Sequence, residues 1–209
     1  MPAQPLAAVL LAAGPAQRFG APKQLAKIGG VPMVRRAAQA ILECNAELVV
    51  VTGAHAQMVA DALEGLPLRL AHNPFWNLGM GESVARGFRE LPRQFAPPVA
   101  SLLCLVDQPL VGAAQLQRLI ERHLAEPRRI IVSDHGESVG PPCLFPEEFY
   151  DELTLLSGPR GARQVIERHR HAVLTVPLPE AALDIDRPED YQHAVSVLAE
   201  EGVPIGAAA

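Results

Sequence analysis

The segment Leu11-Ala-Ala-Gly-Pro-Ala-Gln-Arg-Phe-Gly-Ala-Pro-Lys23 puts a glycine and two cations on one stretch of chain, directly after an apolar run. Gly14 lets the backbone leave that run with little steric restriction, so its amides can approach a ligand closely. Arg18 offers a forked guanidinium and Lys23 a point-charge ammonium; beside backbone N–H groups, that pair suits a polyphosphate. A strand-to-helix turn with two solvated cations is the plainer reading, and the spacing alone leaves both standing. The segment has neither Walker A nor GxGxxG spacing.

Carboxylates supply the complement. Val106-Asp-Gln-Pro-Leu110 sets Asp107 at the end of another apolar run, pointing into the crevice that the first loop borders. Carboxylate oxygen is the hard ligand that Mg²⁺ takes together with substrate phosphates. Asp107 could instead cap the helix expected to start near Gly112. Leu183-Asp-Ile-Asp-Arg-Pro-Glu-Asp190 adds Asp184 and Asp186, which share a face if the stretch is extended. Asp186 also sits where an N-cap belongs, ahead of Pro188 in a first helical turn. Asp184 is the better second metal carboxylate, and Asp186 stands as ligand, cap or both. Two capping acids with no metal are the alternative.

A third group lies in Asn73-Pro-Phe-Trp-Asn-Leu-Gly-Met-Gly-Glu-Ser83. Gly79 and Gly81 flank a helix start that carries Ser83, so free amides and a hydroxyl would face the crevice. Trp76, the single Trp, reads as core packing or a loop plug before a stacking platform. The seven His form no metal pattern; His169 and His171 end a helix, where a dipole interaction suffices. Cys104 and Cys143 lie in apolar surroundings and read as inert, so no nucleophile stands out.

The elements that must position these residues alternate. Apolar runs predict strands at 6–12, 48–52, 68–71, 101–106, 130–133 and 173–176, with an extended return over 137–145. Helical spacing marks 34–44, 57–63, 82–91, 115–124, 147–156, 163–169 and 188–199. Pro92, Pro97 and Pro98 mark a loop after the third helix. Alternation with buried strands predicts an α/β sandwich around a mainly parallel sheet. The 209 residues are 49% hydrophobic and 20% charged, which predicts one folded domain over 1–209, with residues 202–209 a frayed tail. A net charge of −5 argues against a nucleic-acid or membrane-surface partner. Three scattered cysteines with no metal-ligand spacing argue for a reducing compartment and against both a disulfide framework and a zinc site. The apolar N-terminus lacks a basic flank, so the chain is expected to be soluble and cytoplasmic.

Leu-Ala-Ala-Gly-x-x-x-Arg-x-Gly-x-x-Lys resembles the signature of nucleotidyltransferases with a glycosyltransferase-A-like fold. Lys23-Gln-Leu followed by Gly29-Gly-Val-Pro-Met33 resembles their molybdenum-cofactor branch, and the resemblance recurs along nearly the whole chain. It implies a Rossmann-like three-layer α/β sandwich around a mainly parallel mixed sheet. It also implies Mg²⁺-dependent transfer of a nucleotide to molybdopterin, with Arg18, Lys23 and Asp107 catalytic and Asp107, Asp184 and Asp186 holding the metal. Nucleotide contacts would come from Leu11, Ala12, Ala13, Gly14, Arg18, Lys23, Asn73, Gly79 and Ser83. The acceptor would lie near Gly140, Pro142, Arg160 and Arg163, and a recipient molybdoenzyme is an implied partner.

The chain departs from the family pattern at Val106, where family members carry Gly before the Asp, and at Pro159, where they usually carry Asp after the Gly. Leu-Ala-Ala-Gly resembles the cytidylyl branch; the guanylyl branch carries Gly in place of Ala13, whose methyl would narrow the base site against a purine. CTP is therefore expected over GTP. The alternatives are a guanylyltransferase, a sugar- or polyol-phosphate nucleotidyltransferase, and a cofactor-delivery chaperone without turnover. The metal-dependent transfer reading expects Asp107 and Asp184 to converge beside the glycine loop.

Overall fold

In the computed structural model, residues 6–91 and 99–200 are described. The expected loop prolines Pro92, Pro97 and Pro98, the first five residues and the expected tail at 202–209 lie outside them. The elements in order are β1 (Leu6–Ala12), β2 (Lys27–Ile28), β3 (Val31–Pro32), α1 (Met33–Glu43), β4 (Glu47–Thr52), α2 (Ala56–Ala62), β5 (Leu68–His72) and α3 (Met80–Arg89). After these come β6 (Ala100–Leu105), α4 (Ala113–Ala125), β7 (Ile130–Asp134), β8 (Val139–Pro146), α5 (Tyr150–Thr154), α6 (Arg163–Arg168), β9 (Val173–Pro177) and α7 (Pro188–Glu200).

Seven strands form one sheet in the order β5-β4-β1-β6-β8-β7-β9. The pairs β1/β4, β1/β6, β4/β5 and β7/β9 are parallel, and only β8 runs against its neighbours. The sheet is thus mixed and mainly parallel, as the alternating pattern predicts.

Strand β1 is apolar at every position because both of its faces are covered. Ala7, Val9 and Leu11 pack with Val84, Phe88 and Tyr150 on one side. Ala8, Leu10 and Ala12 pack with Val34, Ile41 and Leu119 on the other. The alternation of side chains along a strand sends successive residues to these two cores. Helix α3 lies close on the sheet at Gly87, where a Cβ would come within 2.3 Å of Val9 Cγ1.

Register brings the chemistry-bearing loops together. Leu11 pairs with Leu105 and Ala12 with Thr52, so the loop after β1 and the Val106-Asp107 segment leave the sheet side by side. Open α/β sheets place ligands at this carboxyl edge.

Two local features differ from the sequence expectation. Residues 147–156 are not one helix but a 3₁₀ turn (Glu147–Phe149) followed by the short α5. The sequence reading also passed over the hairpin β2–β3, whose Gly29 and Gly30 take φ of 63° and 77°. Strands of two residues carry too few side chains to show a period, but the Gly-Gly pair is the expected chemistry of a turn that needs positive φ.

Candidate active site

The loop after β1, the start of α3 and the end of β6 enclose a cavity of about 700 Å³. Leu11, Ala13, Gly14, Arg18, Lys23, Gly79, Ser83, Asp107 and Asp186 line it. Ala12 does not; it turns into the opposite core. A Cβ at Gly14 would meet no atom within 4 Å, so nothing in the protein itself requires glycine there. The space above it belongs to the cavity.

Charge is concentrated at the mouth. Lys23 Nζ lies 2.8 Å from Asp107 Oδ2 and 2.9 Å from Asp186 Oδ1. Arg18 Nη2 is 2.7 Å from Asp186 Oδ2. Burial alone would lower the pKa of Lys23, but Asp107 and Asp186 outweigh it and hold the ammonium above its usual value. Burial works to raise Asp186, yet Lys23 and Arg18 keep its carboxyl below the usual carboxylate range. Asp107 Oδ1 is buried without a hydrogen-bond partner, a costly state for a polar atom.

The two acids of the third segment divide differently from the sequence expectation. The Ile185 N–H donates to the Asp107 carbonyl oxygen at 2.8 Å, which docks residues 184–186 against the end of β6. Asp186 reaches the cavity, whereas Asp184 is not among its lining residues. The Asp184 carboxyl is pushed up to about 6, first by burial and then by repulsion from Asp107 and Asp186, against the pull of Gln108 and Lys23. As a residue Asp184 is exposed, so repulsion is the firmer of the two causes.

Asp186 is not the cap of α7 either. The backbone N–H groups of Asp186 and Arg187 donate to Asp190 Oδ2 at 2.9 and 2.7 Å, so a residue in the first turn of α7 reaches back to satisfy them. Asp107 does not cap α4; Gln115 Oε1 accepts the Gly112 N–H there, at 3.1 Å.

Within the Asn73–Ser83 segment, Asn73 itself serves the site indirectly. Asn73 is only 2% exposed; its Nδ2 donates to Ser83 Oγ at 3.0 Å and its Oδ1 accepts the Phe75 N–H. It therefore fixes Ser83 and does not line the cavity. Gly79 has φ +131°, and a Cβ there would come within 2.4 Å of Gly158. The Gly81 N–H, expected to be free, donates to Gly158 O at 2.8 Å. The Gly158-Pro159 turn is thus packed against the helix start. Trp76 is half-buried, packs on one core and also lines the cavity.

The acceptor-side residues do not converge on the cavity. Arg160 and Arg163 both pair with Glu167, the latter at 3.2 Å. Gly140 and Pro142 belong to β8, where the Pro142 carbonyl accepts from Ser133 Oγ at 2.6 Å. His169 bonds Glu152 Oε2 at 2.7 Å, a closer partner than a helix dipole. Burial pushes the Cys104 and Cys143 thiols far up, so neither acts as a thiolate nucleophile. Gln24, not singled out from sequence, lines the cavity while only 1% exposed.

The residues at the mouth fit a divalent cation in one respect: two carboxylates, Asp107 and Asp186, converge on one positive charge, the Lys23 ammonium, and one Asp107 oxygen has no hydrogen-bond partner of its own. Among the described residues no three His, Cys, Asp or Glu form a ready cage. A cation held by two carboxylates and completed by substrate phosphates requires none.

The fold and this mouth define an NTP-transferase type of domain. Residues 8–173 match the MobA-like NTP transferase domain, and the chain belongs to that family. It is 36% identical over 118 residues to the nicotine blue oxidoreductase of Paenarthrobacter nicotinovorans, a match covering 55% of each chain. It therefore spans about half the length of that relative. An Rv0371c homologue from Mycobacterium sp. strain JC1 shares the fold, with a TM-score of 0.79 at 24% identity over 94% of this chain and 98% of that one. Rv0371c of Mycobacterium tuberculosis H37Rv, solved as a manganese complex, gives 0.68 at 25% identity over 92% and 98%. No described helix is long and apolar enough to cross a membrane.

Proposed function

We propose that this protein transfers a cytidylyl group from CTP to the terminal phosphate of molybdopterin. A phosphate oxygen of the acceptor attacks the α-phosphorus, the bond to the bridging oxygen breaks, and pyrophosphate leaves. The observation that carries this reading is the mouth itself, where Lys23 bridges Asp107 and Asp186 and Arg18 flanks them.

Arg18, Lys23 and the amides of the Gly14 loop would bind the triphosphate and stabilise the charge that collects on pyrophosphate. Asp107 and Asp186 would hold Mg²⁺, with Asp184 behind them adding negative potential. When bound, the ion would orient the α-phosphate and neutralise charge on the attacking and leaving oxygens. The protein's own contribution is positioning and preorganised electrostatics, which need no side-chain nucleophile.

Base choice rests on Ala13, which is 5% exposed and lines the cavity. CTP is expected to show the higher kcat/KM. Ala13→Gly should move the CTP-to-GTP ratio toward GTP by about 10- to 200-fold, the range one methyl commands in a pocket. Specificity constants for the two triphosphates check this, and dominant GTP use by the natural chain would reverse the assignment.

The test of the whole reading is pyrophosphate release from CTP and Mg²⁺ with molybdopterin, compared with sugar and polyol phosphates as acceptors. Release only with the latter would transfer the assignment to them. Binding without release would mark a delivery protein. The relative's name, an oxidoreductase, favours a redox reading as second choice. Electron transfer does not by itself call for two carboxylates and two cations around one mouth, whereas a triphosphate with its ion uses all four.

A further inference from the structure

Gln24 directly follows Lys23 in a 3₁₀ turn, Lys23–Leu25. Its Nε2 donates to the carbonyl oxygens of Ala12 at 3.3 Å and Gly14 at 2.7 Å. Both amide hydrogens are thereby engaged, and the side chain ties the turn carrying Lys23 to the end of β1. Its Oε1 is buried and has no partner. Leaving a buried acceptor unpaired is costly. Exchanging the oxygen and nitrogen positions would set an oxygen against two carbonyls. The amide orientation is therefore locked, and the residue acts through its nitrogen.

The intervening carbonyl is also occupied: Ala13 O accepts the Ala54 N–H at 3.1 Å. The carbonyls of Ala12, Ala13 and Gly14 are thus all taken by donors from the body of the protein. A trans peptide points its N–H opposite to its C=O, so anchoring the Ala12 and Ala13 carbonyls turns the Ala13 and Gly14 N–H groups the other way. A polyphosphate needs that polarity, because a carbonyl turned into its site would repel it.

We infer that Gln24 is a positioning residue that sets the polarity of the nucleotide loop and the reach of Lys23, acting on the triphosphate without touching it. The inference rests on the nucleotide reading above. Its signature is selective: KM for CTP rises while KM for the acceptor stays, since the clip acts on the triphosphate half.

Trp76, the only Trp, lines the same cavity and serves as the binding reporter. CTP with Mg²⁺ is titrated against the natural chain, Gln24→Met and Gln24→Glu, with thermal melts of all three. At about pH 8 both variants are expected to bind CTP at least about tenfold more weakly. Near pH 6 the buried Glu becomes a neutral acid that again donates to a carbonyl. Relative to the natural chain at the same pH, Gln24→Glu should then recover part of its affinity, and Gln24→Met should not. If Gln24→Met fails to fold, the pH recovery of Gln24→Glu decides alone. CTP binding by Gln24→Met within about twofold of the natural chain, or no recovery in Gln24→Glu, would overturn the inference. A natural chain that binds none of the four ribonucleoside triphosphates overturns the nucleotide reading itself, a distinguishable failure that takes the clip with it.

Discussion

Asp107→Ala is expected to reduce nucleotidyl transfer by about a thousandfold or more while the protein stays folded. Losing one preorganised electrostatic group at a reacting centre costs about 10²–10³ in turnover, and on the proposed function Asp107→Ala also removes a carboxylate that would hold the metal. The fold survives for a structural reason. The Asp107 carbonyl, not its side chain, accepts the Ile185 N–H that docks the third segment. Lys23 also keeps a second partner in Asp186, so no ammonium is left unpaired. Removing Asp107 even deletes a buried oxygen that has no partner. A melting temperature within a few degrees of the natural chain is the expected control, since about 1 kcal/mol shifts a domain of this size by about 2–4 °C. Pyrophosphate release is the measurement, and near-normal release would remove Asp107 from the reaction.

Lys23→Met is expected to damage turnover somewhat less and to have the opposite effect on the cation. The ammonium stands between Asp107 and Asp186, the place a divalent ion would take. Without it the two carboxylates face each other uncompensated. Turnover should fall about 10²–10³-fold because the departing phosphates lose their point charge. Mn²⁺ binding in the absence of nucleotide should tighten, because the ion no longer competes with a tethered cation. Breaking a fully buried ion pair costs about 3–5 kcal/mol. The Lys23 and Asp107 side chains retain 12% and 20% exposure, so the stability loss should be smaller and should reverse on adding Mn²⁺. Titration of free Mn²⁺ by its paramagnetic resonance signal reads the affinity directly. Unchanged or weaker binding in the variant would show that Lys23 does not hold the ion's place.

The division between Asp184 and Asp186 shows where sequence reasoning stops. Two carboxylates two positions apart on an extended stretch are equivalent until something decides which of them meets the cavity. The Ile185-to-Asp107 backbone hydrogen bond docks both acids at the end of β6, and Lys23 and Arg18 then pair with Asp186. Arg160 and Arg163 teach the same lesson. Their charge was legible, but Glu167 one helical turn beyond Arg163 claims both. Gly81 was expected to offer a free N–H; Gly158, remote in sequence, takes it.

By itself the sequence determined the alternating α/β architecture, because apolar runs and helical periods are local consequences of which faces must be buried. It also determined the glycine loop with its two cations and the placing of Asp107 after an apolar strand, since each is a matter of residue type within a few positions. Only the tertiary structure decided which charges meet. Lys23 and Asp107 stand 84 residues apart, and Lys23 and Asp186 163 apart. Pairing across such distances is set by strand register and loop docking, and a hydrogen bond or ion pair depends on ångström separations that no periodicity records.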